Sequence, residues 1–358
     1  MAREFTYSKA GVDREQRAES KKALKLLADT FRLSRYGSVV QLPYGSIFPI
    51  DKNRYADLAI EGVGTKVLVA QLAEKYDTIG IDGVAMAVND VIRSGAKPLA
   101  IADNIHMQVS NPALVKELIV GVAEGATEAG CIVPSGEIGD VAELIRGLRE
   151  GIGFDLVVAA IGEVANGKII SGKCIRQGDA IIGLRSSGIH SNGVSLARRI
   201  LFKPWGGKFD PHDIPEGLDR EVVSEVLEPT RIYVKSLQMV SENIDVKAAV
   251  HITGDAYLKF NRLMNFSPRI GFEFGNFDPQ PIFGLIQRTA SQLEGRITDE
   301  EMFKTFNMGW GFAIVVDRTD ANEALDVLGK KEQADVIGAV TTSERIKVLY
   351  KDKEIILQ

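Results

Sequence analysis

Cysteine is nearly absent from this chain: 358 residues carry two, Cys131 and Cys174. Neither has a neighbour at metal-ligand spacing, which argues against a disulfide framework and a thiolate metal site. Long apolar runs are missing, so no stretch reaches the length of a membrane-spanning helix. An excess of positive charge is missing too: the formal net charge is -5, which argues against a broad nucleic-acid-binding surface. There is no G-x-S-x-G elbow, no H-E-x-x-H and no G-x-G-x-x-G, so a serine hydrolase, a zinc protease and a dinucleotide dehydrogenase have no support. The first residues, "MAREFTYSKAGVDREQ", are polar and charged, unlike a secretory signal. The expectation is a soluble cytoplasmic protein without nucleic-acid or membrane partners.

What is present is an ordinary globular composition, 45% hydrophobic and 25% charged, in a chain long enough for two domains. Apolar runs and helical periodicities alternate throughout. "RYADLAIEGVG" reads as a strand and "VGTKVLVAQLAEKY" as the helix after it. "TIGIDGVAMAVNDVIRSGAKP" reads as a long helix with small residues where it packs closely. "NPALVKELIVGVAEGATEAG" is a helix with Pro112 at its start and Gly130 just past its end. The composition changes near 165–172, and strands and helices alternate again to a closing hairpin. The reading is a two-domain α/β (α+β) fold, with 1–168 as the nucleotide-binding and dimerisation half and 169–358 as a mixed sheet with helices that completes a substrate cleft.

Five short motifs carry candidate chemistry. "EGVGTK" places Glu61, Gly62, Gly64, Thr65 and Lys66 between two apolar runs. It reads either as a plain Gly turn or as a phosphate site, because Gly lets backbone N–H groups approach an anion and Lys adds a point charge. "AVNDVIRSG" and "VPSGEIGD" supply Asp90 and Glu137. With Glu61 these acids could form an oxygen-rich cluster for Mg²⁺, if the fold brings them together. "SSGIHSNG" surrounds His190 with hydroxyls and an amide, so the imidazole reads either as a solvated loop group or as a substrate contact titrating near neutrality. His251 and Asp255 end a strand in "VHITGD", where α/β folds often meet ligands; His251 fits a packed histidine equally well.

In order along the chain, "YSKAGVD", "GVGTK", "YDTIGIDGVAMAVND", "GAKPL", "AEGATEAGC", "SSGIHSNGVSLAR", "EPTRIYVK", "HITG" and "TFNMGWG" resemble the aminoimidazole ribonucleotide synthetase family, the phosphoribosylformylglycinamidine cyclo-ligases. The resemblance runs from Tyr7 to beyond Gly311. It implies a homodimer whose N-terminal halves share a barrel-like sheet. It also implies use of ATP and Mg²⁺ to convert formylglycinamidine ribonucleotide, a small-molecule ribonucleotide, into aminoimidazole ribonucleotide. Carried over by position, it implies metal-binding acids at Glu61, Asp90 and Glu137. Nucleotide contacts are implied at Gly62, Gly64, Thr65, Lys66, Asp82 and Asn89, and substrate contacts at Ser187, His190, Ser191 and Asn192. Lys66 and His190 are the groups expected to act in catalysis.

The chain departs from the family pattern in four places. Glu61 stands where Asp is usual, and "SGEI" replaces Gly-Gly-Glu-Thr. The N-terminal Gly-Gly-Phe-Gly segment appears only as "PYGSIFPI". "HITGDAY" replaces His-Ile-Thr-Gly-Gly-Gly and so adds Asp255. The competing readings are an ATP-dependent kinase or dehydratase of the same fold superfamily and a non-catalytic nucleotide-binding subunit.

Overall fold

The computed structural model describes residues 3–357. Its strands form two large sheets. The first has six strands in the order Val40–Leu42, Gly45–Pro49, Arg54–Gly62, Phe154–Ala165, Lys97–Met107, Ile132–Asp140. Only its last pairing, Lys97–Met107 with Ile132–Asp140, is parallel. The second has seven, in the order Lys353–Leu357, Ile346–Tyr350, Gly271–Phe274, Ala334–Thr341, Ala180–Arg185, Trp310–Val316, Ala248–His251. The closing hairpin expected at the end of the chain is the pair Ile346–Tyr350 and Lys353–Leu357. The start of the chain crosses over: Arg3–Glu4 pairs in parallel with Gly295–Arg296.

The helix Asp77–Val91 is the axle of the molecule. Nearly every side chain on it is buried, as expected of a helix covered on all sides. One side lies on the first sheet, where a Cβ on Gly83 would come within 2.9 Å of Val158. Another lies on the helix Pro112–Ala129. There Gly121 permits contact so close that a Cβ would fall 1.8 Å from the Asp77 carbonyl oxygen. The small residues noted in the sequence are therefore the surfaces of close approach. Pro112 and Gly130 bound the Pro112–Ala129 helix as expected, with Asn111 accepting from the Ala113 and Leu114 N–H groups and Gly130 left-handed at φ +72°. The third side of the axle carries Asp82, Asn89 and Asp90 toward the second half of the chain.

Pairing in the first sheet fixes which side chains share a face, because directly paired residues point the same way. Leu58, Ile161, Ala100 and Ile132 form one row across four strands. Two rows along, Gly62, Val157, Asn104 and Glu137 form another row on the same face. Glu61 pairs with Val158 and points to the opposite face, toward the axle helix.

Candidate active site between the two sheets

The strand Arg54–Gly62 delivers Glu61 and then breaks into a turn. Gly62 and Gly64 are exposed, and Gly64 takes φ +70°, which glycine adopts without penalty. Thr65 starts the helix Lys66–Ala73 without capping it; its hydroxyl is 2.8 Å from Ser195 Oγ, at the start of the helix Val194–Leu201. Two helix N-termini, one from each half of the chain, therefore meet side by side.

Lys66 turns inward. Its side chain is fully buried, with Nζ 2.8 Å from Asp82 Oδ2 and donating at 2.7 Å to the Glu228 carbonyl. Asp82 Oδ1 also accepts from Thr230 N–H at 2.7 Å, Thr230 Oγ1 at 2.6 Å and Ser191 Oγ at 3.0 Å. Asn89, two turns further along the same helix, donates to the Arg231 carbonyl and accepts from Tyr233 N–H, at 2.8 and 2.9 Å. Lys66, Asp82, Asn89 and Ser191 thus bind the Glu228–Tyr233 stretch to the axle helix. Their polar atoms are spent on protein contacts, whereas the sequence reading put them against ligand. The reason is long-range: a buried charge needs a partner, and Lys66 finds its partners in Asp82 and the Glu228 carbonyl.

His190 is also inside the protein, 1% exposed, with a backbone φ of +60°. Its Nε2 accepts from Ser187 N–H at 3.2 Å, which leaves the proton on Nδ1, an atom closed off from solvent and without a hydrogen-bond partner. Burial, reinforced by His251 and Lys66, holds its pKa well below the usual histidine value. The expectation of an imidazole titrating near neutrality is corrected on that ground. Ser187 Oγ donates to the Pro229 carbonyl, and Asn192 Nδ2 donates to Thr253 Oγ1.

The charged centre of the cleft is built around Glu61 and Asp90. Asp90 Oδ1 is 2.9 Å from His251 Nδ1, and Oδ2 is 2.7 Å from Arg93. Against the opposing effect of burial, Arg93, then Lys259 and then the His251 hydrogen bond keep Asp90 ionised below the usual carboxylate range. His251 itself is pushed down to about 4 by burial, against the pull of Asp90. Glu61 is pushed up to about 7, first by burial and then by the adjoining Asp90 charge. Tyr44 stacks under Arg93, whose guanidinium is 4.9 Å from the ring centroid. Glu61, Asp90, Arg93, Tyr44 and Asp57 line a cavity of about 160 Å³. That is below the roughly 300–1,000 Å³ of sites that enclose a whole small ligand, and it has room for the charged end of one.

Glu137 does not join them. It lies in the strand Ile132–Asp140, exposed, on the opposite face of the sheet, three strand spacings from Glu61, or roughly 14 Å. No group of three or more His, Cys, Asp or Glu side chains converges at metal-binding distance among the described residues. The converging acids number two. Two adjoining carboxylates, one held toward its protonated form by burial and by the other, still fit a hard cation that brings phosphate oxygens with it.

Sequence reasoning passed over Arg93 and Thr230. Thr230 sits in "EPTRIYVK", a motif quoted for its resemblance without a residue being singled out. Arg93 lies three residues after Asp90, an i,i+3 spacing that pairs side chains on a helix.

Residues 45–164 match the model for the N-terminal domain of AIR synthase related proteins, and residues 176–351 match the model for the C-terminal domain. The chain belongs to this family. It is 37% identical to the phosphoribosylformylglycinamidine cyclo-ligase of Pyrococcus furiosus, over 97% of this chain and 98% of the relative. With the enzyme of that name from Methanocaldococcus jannaschii it shares 38% identity, over 99% of each. Among solved structures, E. coli HypE superimposes with a TM-score of 0.60 at 16% identity, over 85% of each chain. T. maritima PurL complexed with ATP gives a TM-score of 0.56 at 16% identity, over 86% of this chain and 44% of PurL. At such identities these two structures speak for the fold.

Proposed function

We propose that this member of the family uses ATP to close formylglycinamidine ribonucleotide into aminoimidazole ribonucleotide, a step of de novo purine biosynthesis. The observation that carries the reading is the near-full-length identity to the cyclo-ligases of P. furiosus and M. jannaschii. The chemistry asks little covalent work of the protein. The γ-phosphoryl group of ATP passes to the formyl oxygen, the substrate's own nitrogen attacks that carbon, and phosphate leaves with the oxygen. The protein must hold two molecules in register and offset phosphoryl charge. A cleft with paired acids, fixed cations and no activated nucleophile suits that task.

Within the reading, Glu61 and Asp90 would hold Mg²⁺, which on binding offsets phosphate charge. The exposed Gly62–Gly64 turn beside them offers backbone N–H groups to a phosphate. Lys66, Asp82 and Asn89 act at one remove, by holding the 228–233 stretch in place. Residues 1–168 and 169–358 serve as the two working halves, and the active species is a cytoplasmic homodimer. The test is phosphate release from ATP by the purified protein, with and without formylglycinamidine ribonucleotide, together with detection of the imidazole product. Substrate-dependent release with product formation is expected. Release that ignores the amidine substrate, or none at all, overturns the reading.

A further inference from the structure

Lys259 is the last residue of the short 3₁₀ turn Ala256–Lys259, just beyond the strand that ends in His251. The turn is firmly seated. Tyr257 is fully buried and its Oη donates to the Asn307 carbonyl at 3.0 Å. Tyr44 Oη donates to the Lys259 carbonyl at 3.2 Å. Asp255, at the head of the turn, takes ion pairs from Arg14 and Arg17. Ala256 sits at φ +45°, a left-handed conformation that a non-glycine residue keeps only where the surroundings enforce it. The root of the Lys259 side chain is therefore fixed from several sides.

The far end of that side chain is not. Lys259 is partly buried, yet among the described residues its ammonium has neither a hydrogen bond nor a contact ion pair. The charges that act on it come from Asp90 and Glu61 in the first half of the chain, with Arg93 and Arg262 as the nearby cations. Lysines normally do one of two things. On a surface they extend into water; in an interior they close on a partner, as Lys66 closes on Asp82 at 2.8 Å. Lys259 is partly buried and closes on no partner among the described residues. Asp90 is already paired with Arg93 and hydrogen-bonded to His251, while among the described residues Glu61 has no basic side chain in contact. The cavity wall thus presents an unmatched carboxylate, and the turn whose Lys259 carbonyl is held by the cavity residue Tyr44 carries an unmatched ammonium. A ligand that satisfies both has a cationic part toward Glu61 and an anionic part toward Lys259, and a phosphate carried with a divalent cation has this form.

We infer that Lys259 is a phosphate-binding residue of the cleft, whose ammonium donates to a phosphoryl oxygen of the ligand lying against Glu61 and Asp90. The ligand class is a phosphate ester or anhydride. Given the proposed function, on which this identification rests, it has two sources: the polyphosphate of the nucleotide or the 5′-phosphate of the ribonucleotide. The experiment separates them by equilibrium calorimetry with two probes, the non-hydrolysable ATP analogue AMPPCP with Mg²⁺ and formylglycinamidine ribonucleotide itself. The proteins are wild type, Lys259→Met and Lys259→Arg, each checked by its thermal unfolding midpoint. A charge-assisted hydrogen bond of ordinary strength predicts that Lys259→Met binds one probe roughly 10-fold or more weakly, that the other probe changes far less, and that Lys259→Arg recovers part of the loss. The probe that weakens identifies the source. Because the Lys259 ammonium has no partner among the described residues, the unfolding midpoint should stay where it is; if Lys259→Met is unstable, Lys259→Gln is measured in its place. Wild-type affinity for both probes in a folded Lys259→Met or Lys259→Gln protein overturns the inference. Failure of the wild type to convert substrate counts against the functional reading, and leaves the calorimetric comparison of wild type and variant intact.

Discussion

Lys66 and Asp82 form an ion pair 2.8 Å long in which both side chains are fully buried. The pair joins the first turn of one helix to the axle helix, and through Glu228 and Thr230 it reaches the second half of the chain. Such a pair is weak evidence of net stabilisation, but removing one member strands the other charge in the interior. Lys66→Met keeps most of the side-chain stem and removes the ammonium. The expected loss is about 3–5 kcal/mol of unfolding free energy, read from chemical denaturation. Inter-half docking should weaken as well, visible as earlier proteolysis near 228–233. A loss below about 1 kcal/mol, the range of exposed pairs, would contradict this account of Lys66.

His190 makes a pH prediction. Its pKa in the folded protein lies well below the ordinary value of 6.5, because burial penalises the imidazolium. Below about pH 6.5 the unfolded chain therefore binds a proton that the folded chain does not. Stability is fully present above that pH and is lost as pH falls toward the folded value. His251, pushed down to about 4, acts in the same direction. His190→Gln cannot take up a proton and should flatten part of the slope of stability against pH between pH 6.5 and 4, leaving the share of His251. Denaturation midpoints at pH 5 and pH 7.5 test it. An unchanged difference between the two pH values in His190→Gln would sink the assignment of a buried, neutral imidazole.

Much of the fold was legible because it rests on local rules. Pro112 and Gly130 bound a helix through their own backbone preferences, and the strand Arg54–Gly62 is written in alternating residues. The site was less legible because its parts depend on partners far away in sequence. The face on which Glu137 points is decided by counting register through two intervening strands, which no local pattern records. Lys66 looked like a phosphate ligand beside its glycines, and it turned inward because Asp82 and the Glu228 carbonyl were there to receive it. The spacing of Asp82 and Asn89 was the readable clue: polar residues seven apart on a helix whose other central positions are apolar share a face and call for a polar partner there.

Glu61 and Glu137 separate the metal prediction cleanly. Glu61 adjoins Asp90 on the axle side of the sheet, whereas Glu137 is exposed on the other face. Glu61→Gln should raise the Mg²⁺ concentration needed for half-maximal nucleotide binding by about 10-fold or more, as loss of one carboxylate from a two-carboxylate site implies. Glu137→Gln in the same titration should match wild type. An equal shift in both variants, or none in Glu61→Gln, would remove Glu61 from the proposed metal site.

The outer face of the first sheet carries the last prediction. Leu58, Ile161, Ala100 and Ile132 run in one row across four adjacent strands, with Ile60 and Ala159 paired in the next row. Leu58 is 59% exposed, Ile60 68% and Ile132 65%. Scattered apolar side chains on a surface need no explanation, but a contiguous apolar patch on an open sheet face does. A second copy of the chain offers the same patch, and a two-fold axis lets one patch cover the other. The wild-type protein should therefore be a dimer by light scattering at micromolar concentration. Leu58→Lys combined with Ile60→Lys should give a monomer, because two like charges from each copy would be forced together in the interface. The fold should survive, since both side chains point away from the axle helix and are exposed within one chain. A monomeric wild type, or a double variant that stays dimeric, would show that this face is not where two copies meet.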